Sequence, residues 1–231
     1  SFNSASVSNK RPKRSSSPSI KARTNSAETS SAEIVFQASI LPSSFVSCAQ
    51  RLPAVHGILY QLFTEGYLSS NTDHTIRREL TSEALRLGTV LAAHPAGATP
   101  ETFALLALMH LHTARTPARQ DASGGLLLLE EQDRDLWDRG EIAIGLSWLA
   151  KSAAGDTFPR YHAEAGIAAE HCLAPSVRAT RWDKVVECYA LLERSGPSPI
   201  HTLNRAVAVA EWRGPAEGLA LLEDFAAPAW L

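Results

Sequence analysis

Cysteine is scarce in this chain. Its 231 residues include three, Cys48, Cys172 and Cys188, with no CxxC spacing among them. An odd number without paired spacing argues against a disulfide framework and a structural zinc site, and fits a reducing cytoplasm. Long apolar runs are lacking too. The chain is 45% hydrophobic, yet no run approaches the roughly 20 residues that a membrane-spanning helix needs, so no membrane partner is expected. The N-terminal segment has no apolar core of the kind a secretory leader carries. The chain begins with Ser1, which fits a fragment or a processed product.

Basic charge is missing where a nucleic-acid-binding body would need it. Residues 1–31 carry six Lys/Arg against one acid, Glu28, while residues 32–231 hold 16 Lys/Arg and 23 Asp/Glu. Gripping a phosphate backbone requires a basic face that displaces counterions. No sequence-specific DNA binding is therefore expected from this chain alone. Residues 1–50 read as a Ser-rich basic tail, disordered or poorly ordered, because the stretch NKRPKRSSSPSIKAR has too little apolar surface to offset the entropy of ordering.

Catalytic signatures are also absent: no GxSxG, P-loop or GxGxxG occurs. His110 and His112 lie two apart in a helical stretch and so point about 200° from each other, too divergent to share a metal. His162, Glu164, His171 and Cys172 are ligand types with no spacing that ties them together. No nucleophile–base pair and no metal set can be assembled. The expectation is a non-enzyme without a cofactor.

Helical periodicity is what the sequence does contain. From Arg51, the residues Val55, Ile58, Leu59, Leu62 and Phe63 recur at three- and four-residue spacing, with Pro53 suited to a first turn. A second helix is predicted from about Thr75 to Ala93, with Asp73 as cap and Ile76, Leu80, Ala84, Leu87 and Leu91 as its stripe. Thr99-Pro100-Glu101 opens a third, PETFALLALMHLHTAR, apolar on most sides and hence central. A fourth starts near Asp133 and places Trp137, Ile144 and Trp148 on one side. A fifth, PRYHAEAGIAAEHCLA, carries small residues that permit close contact.

From about residue 180 helices alternate with stops. Gly196-Pro197, Ser198-Pro199 and Gly214-Pro215 combine a glycine stop with a proline start. Trp182 and Pro215 are 33 positions apart, close to the period of tetratricopeptide-like solenoids. The predicted fold class is all-α: a helical-hairpin array over residues 51–231, solenoid-like in its C-terminal part. GLLLLEEQ is the one strand candidate, and it has no partner.

The stretch ARTPARQDASGGLLLLEEQDRDLWDR, Ala114 to Arg139, mixes both charge signs around an apolar run. Interleaved arginines favour Arg–carboxylate pairing and capping by acids over cation binding. Arg115, Arg119, Asp121, Asp133 and Trp137 are expected to order a long connection, with Leu126–Leu129 inserted in the core and Arg119 paired to an acid of the following helix.

The residues ALLALMHLHTAR, LLLLEEQDRDLWDR, the upstream YQLFTEGY (Tyr60 to Tyr67) and the downstream SPIHTLNRAVAVAEWRGPAEGLALLE together resemble the C-terminal extension of extracytoplasmic-function RNA polymerase sigma factors. The resemblance runs from about Arg51 to Asp224. It departs from the family pattern in having Thr64 where Asn is usual. Sigma regions two and four, which read promoter elements, are not found in residues 1–50. The extension normally continues through further hairpins after the Gly-Pro, so an exposed apolar face is expected at the last unit.

The resemblance implies a role in transcription initiation exercised through protein contacts. The implied partners are the family's own sigma domains or core RNA polymerase, with a small YCII-like protein as a further candidate. Tyr60, Phe63, Glu65, Gly66 and Tyr67 then become candidate docking residues, with Gly66 loosening the helix end. Asn204 and Arg205 join the loop residues as a candidate structural motif. The three aromatics fit plain core equally well. The alternative function is a free-standing helical scaffold that binds a protein or peptide without any DNA-binding activity.

Overall fold

The structure, a computed structural model, describes residues 43–68, 76–154, 158, 160–223 and 225. All of them belong to the compact unit Ser43–Leu231. Residues 1–42 of the proposed tail and the proposed cap Asp73 lie outside the described residues, whereas residues 43–50, read as part of that poorly ordered tail, are helical. Regular structure among the described residues is helical: α1 Ser43–Tyr67, α2 Arg78–Ala93, α3 Pro100–Thr113, α4 Arg139–Ser152, α5 Arg160–Leu173, α6 Trp182–Ser195, α7 Pro199–Arg213 and α8 Pro215–Ala220. The strand candidate reduces to one isolated antiparallel bridge, Gln120 with Leu126. No described helix is long and apolar enough to cross a membrane.

Helix α3 is the centre. Leu105, Leu106, Leu108, Met109 and Leu111 are all buried, together with Ala104 and Ala107. Burying each large side chain contributes about 1.5–3 kcal/mol. Its start is capped as the sequence predicts: Thr99 Oγ1 accepts from Thr102 N at 3.2 Å, and Pro100 follows. Helices α2, α4 and α5 pack around it, and α1 packs mainly on α2. Beyond α5 the chain packs in sequence, α5 on α6, α6 on α7 and α7 on α8.

Several boundaries differ from the sequence reading. Helix α1 begins at Ser43, so Pro53 lies inside it rather than in its first turn. The ring leaves the Ala49 carbonyl without its helical donor, a local cost that the flanking turns absorb. On α2 the buried face is Thr81, Ala84, Gly88 and Ala92, and the predicted leucines flank it. Small residues win the centre because the partner comes close: a Cβ on Gly88 would meet Leu106 Cδ2 at 2.9 Å. Gly145 of α4 likewise faces Leu111, whose Cγ a Cβ there would meet at 2.8 Å.

The fourth helix begins at Arg139, not near Asp133. Asp138 caps it, accepting from Gly140 N at 2.8 Å and Glu141 N at 3.0 Å. Trp137 precedes the helix and is buried, whereas Ile144 is 44% exposed. These two and Trp148 therefore do not form one stripe. At the stops, Gly214 has φ 105°, which favours glycine, but Gly196 is extended at φ −166° and needs none. Val207, Trp212 and Leu219 leave apolar surface exposed on α7 and α8.

The 114–138 connection is an ordered loop closed at its neck, where Asp138 N donates to Ala114 O at 2.9 Å. Its tip is held by Asp121, whose Oδ1 accepts from Ser123 N, Ser123 Oγ and Gly125 N at 2.6–2.9 Å, with Gly124 at φ 87°. Asp133 Oδ1 accepts from Asp135 N at 2.9 Å and starts a single 3-10 turn, Arg134–Leu136. The four leucines do not insert. Leu126 and Leu128 are exposed, and Leu129 alone of them packs on the core cluster. The buried anchors of the loop are Ala118, Gln132 and Trp137 instead.

Candidate functional site

Five helices wall a groove of 380 Å³: α1 through Tyr60, α3 through Leu108 and His112, α5, α6, and α7 through Ile200, His201 and Asn204. Arg115, just past the end of α3, also lines it. The sequence places these residues by ordinary helix geometry. His112 and Leu108 are four apart on α3, as are Ile200 and Asn204 on α7, and side chains four apart share a face. Arg160, Glu164, Ala168 and His171, spaced four, four and three apart, share one face of α5.

The end of the groove near α3 is cationic. Arg115 is 9% exposed; its Nε donates to Gln132 Oε1 at 3.3 Å, and its guanidinium lies 5.5 Å from the centroid of Trp137. Arg134 stands 4.4 Å from the same ring and donates through Nη1 to His171 O at 2.6 Å and Ala174 O at 2.9 Å, closing the C-terminal end of α5. Arg119 covers Tyr67 at 3.6 Å. None of these three takes part in the ion pairs among the described residues. The expected pairing of Arg119 with an acid is therefore corrected: an aromatic face and carbonyl dipoles hold these cations in place of carboxylates.

The cations act on their neighbours. Burial pushes His112 down to about 3, and Arg115 and Arg119 add to that. Burial and then Arg115 and Arg134 hold His171 at about 4. Both rings are neutral at pH 7, and each has a buried Nδ1 without a hydrogen-bond partner among the described residues. Cys172 is pushed up to about 11 by burial, despite the nearby arginines, so its thiol stays protonated and unreactive.

Of the predicted docking residues, Phe63 is core, at 2% exposure. Tyr67 stacks on Phe63 at 5.7 Å and meets His112 at 5.0 Å. Tyr60 lies 5.4 Å from Tyr161 and reaches the groove wall. Glu65 is half-buried on the same helix. Gly66 does not loosen the helix end. Its carbonyl accepts from Arg77 N at 2.8 Å, and a Cβ there would meet Thr81 N at 2.6 Å, so it lets α1 approach the start of α2. Asn204 is exposed at the groove, while Arg205 beside it turns to Glu193, pairing at 2.6 Å.

The two HxH histidines diverge: His110 Nδ1 meets Glu141 Oε2 at 2.6 Å, and His112 goes to the aromatic cluster. Among the described residues no three His, Cys, Asp or Glu side chains converge as a metal site. One serine–histidine contact escaped the sequence, Ser152 Oγ to His162 Nδ1 at 2.6 Å. The serine is 1% exposed and its single hydroxyl proton goes to Leu149 O at 2.7 Å. With that proton on the carbonyl, His162 Nδ1 is the donor to Ser152 Oγ in this arrangement.

The groove itself was not legible in the sequence. Tyr60, Arg115 and Asn204 come from three separate motifs, on α1, past the end of α3 and on α7, and the tertiary fold brings them to one groove. Residues 51–153 match a family of unknown function, DUF6596. An uncharacterized protein of Rhizobium meliloti (strain 1021) is 41% identical over 179 residues, which is 77% of this chain and 42% of that protein. The chain thus spans less than half the length of that curated relative. No solved structure matches it.

Proposed function

We propose that this chain is the helical protein-interaction region of a sigma-factor-type transcription initiation protein, with α6–α8 forming tetratricopeptide-like hairpins. It acts in the cytoplasm by docking a protein segment in the groove between α3, α5 and α7. The partner is the protein's own sigma domains or core RNA polymerase. One observation carries this reading: three motifs that resemble the sigma extension, YQLFTEGY, LHTAR and SPIHTLNRAVA, each send a side chain to the same groove. Side chains that served packing alone would have no need to meet at an open, solvent-facing cleft.

The acidic balance of residues 32–231 supports contact with protein rather than with DNA. It equally suits a free-standing scaffold that binds a protein or peptide at the same groove. The test is a chimera in which complete sigma regions two and four precede residue 51, read out by a promoter reporter beside a circular dichroism melt. Tyr60→Ala with Asn204→Ala should change transcription at least several-fold and leave the melt in place. Unchanged transcription from a folded double variant overturns the sigma reading and leaves the scaffold.

A further inference from the structure

We infer that Arg115 is the anion-binding floor of this groove, and that the docked segment presents to it an acidic side chain flanked by apolar ones. The inference rests on the groove being the docking site and concerns what fits there.

Charge is the first ground. A buried guanidinium is costly unless its charge is met, yet among the described residues the side-chain partners of Arg115 are the neutral Gln132 amide and the Trp137 ring. The arginines behind it, Arg119 and Arg134, are likewise held by rings and carbonyls. Neutral acceptors orient these cations without cancelling their charge. The groove's own acid, Glu164, is engaged by Arg160 Nε at 2.7 Å. The α3 end of the groove is thus left with uncompensated positive charge, a planar fork suited to a carboxylate.

The walls supply the second ground. Leu108, Ile167, Ala168, Leu192 and Ile200 line the same groove, so a bare inorganic anion would leave most of the surface unused. An acid with apolar neighbours fills both parts. Asn204, exposed at the rim, carries one acceptor and two donors and can pair with a peptide unit passing over it. A segment that runs through, with its acid on a side chain, satisfies this arrangement better than a chain end.

The probes are acetyl-Leu-Glu-Leu-amide, its Gln counterpart, acetyl-Leu-Gln-Leu with a free terminal carboxylate, and inorganic phosphate. Each is titrated into the 231-residue chain while the side-chain resonances of Arg115 Nε–H and the Asn204 amide are followed by nuclear magnetic resonance. The glutamyl peptide should shift both resonances saturably, and the glutaminyl peptide should bind about tenfold more weakly or worse, the value of one charge-assisted pair. Asn204→Ala, at an exposed position, should weaken the glutamyl peptide in a chain that still folds. Arg115→Gln should erase the Glu-over-Gln preference.

Equal binding of the Glu and Gln peptides overturns the inference, as does no saturable shift at either resonance. Tighter binding of the free-carboxylate peptide or of phosphate also overturns it, in favour of a chain terminus or a general anion site. The Glu-over-Gln comparison uses the unaltered chain, so it stands even if Arg115→Gln fails to fold. Peptide binding together with unaffected chimera transcription would overturn the sigma reading alone.

Discussion

The guanidinium of Arg119 lies 3.6 Å from the ring centroid of Tyr67, and through it the loop after α3 grips the end of α1. A cation at this distance from a partly desolvated ring contributes about 0.5–2 kcal/mol. Arg119→Ala should lower the melting temperature accordingly. The Tyr67 hydroxyl is buried without a partner among the described residues. Tyr67→Phe removes that unsatisfied group and keeps the ring, so it should leave the melting temperature unchanged or raise it. A clear loss of stability in Tyr67→Phe would show that the hydroxyl is bonded in solution.

Two glycines of α1 should respond oppositely to alanine. Gly57 has nothing within 4 Å of a built Cβ, so Gly57→Ala should stabilise by about 0.5–1 kcal/mol through helix propensity. At Gly66 the obstacles are backbone atoms of α2, Thr81 N at 2.6 Å and Arg77 O at 2.8 Å, which cannot swing aside. Gly66→Ala should cost about 1–3 kcal/mol. Chemical denaturation of the two variants side by side checks the pair.

Leu128 is 65% exposed, and Leu106 of α3 is fully buried. Leu128→Asp should therefore stay within about 0.5 kcal/mol of the parent. Leu106→Ala should cost about 2–5 kcal/mol. Similar losses from the two in a urea titration would mean that the leucine run packs inward after all.

Acid should weaken the fold through the histidines. His112 and His171 are held at about 3 and about 4 in the folded chain, below the ordinary 6.5. Between those values and 6.5 the unfolded chain binds more protons, so stability rises with pH in that window and is complete above it. Lowering pH from 7 toward 4.5 should depress the melting temperature, and His112→Gln should flatten that dependence. A melting temperature independent of pH over this range would mean that both rings titrate normally.

Much of the architecture could be read from local sequence. The cap at Thr99, the central place of α3, the proline starts at Pro199 and Pro215 and the divergence of His110 from His112 all follow from spacing and residue type. Failures occurred where a distant neighbour decides. Gly88 and Gly145 displaced larger residues from their helix faces because α3 comes close, which no single-helix pattern reveals. Leu126–Leu129 looked like an anchor by composition, but Trp137 and Gln132 had already taken the available buried space. Arg119 and Arg134 were expected to seek acids. Burial instead favoured a ring and two helix-end carbonyls, partners that lie far away in the chain.

The bond from Asp138 N to Ala114 O joins the two ends of the long connection. The base of the lobe between them is also held by Arg119 on Tyr67, by Arg134 on the α5 carbonyls and by buried Trp137, so the part that stands clear of the core is its tip. Closing a longer flexible loop adds only about 0.6 kcal/mol for each doubling of its residues. Residues added at the exposed Ser123-Gly124 tip would thus be nearly invisible to the core. The arrangement separates two kinds of heritable change: size can drift at the tip, while the groove beside Arg115 is preserved by the lobe's base.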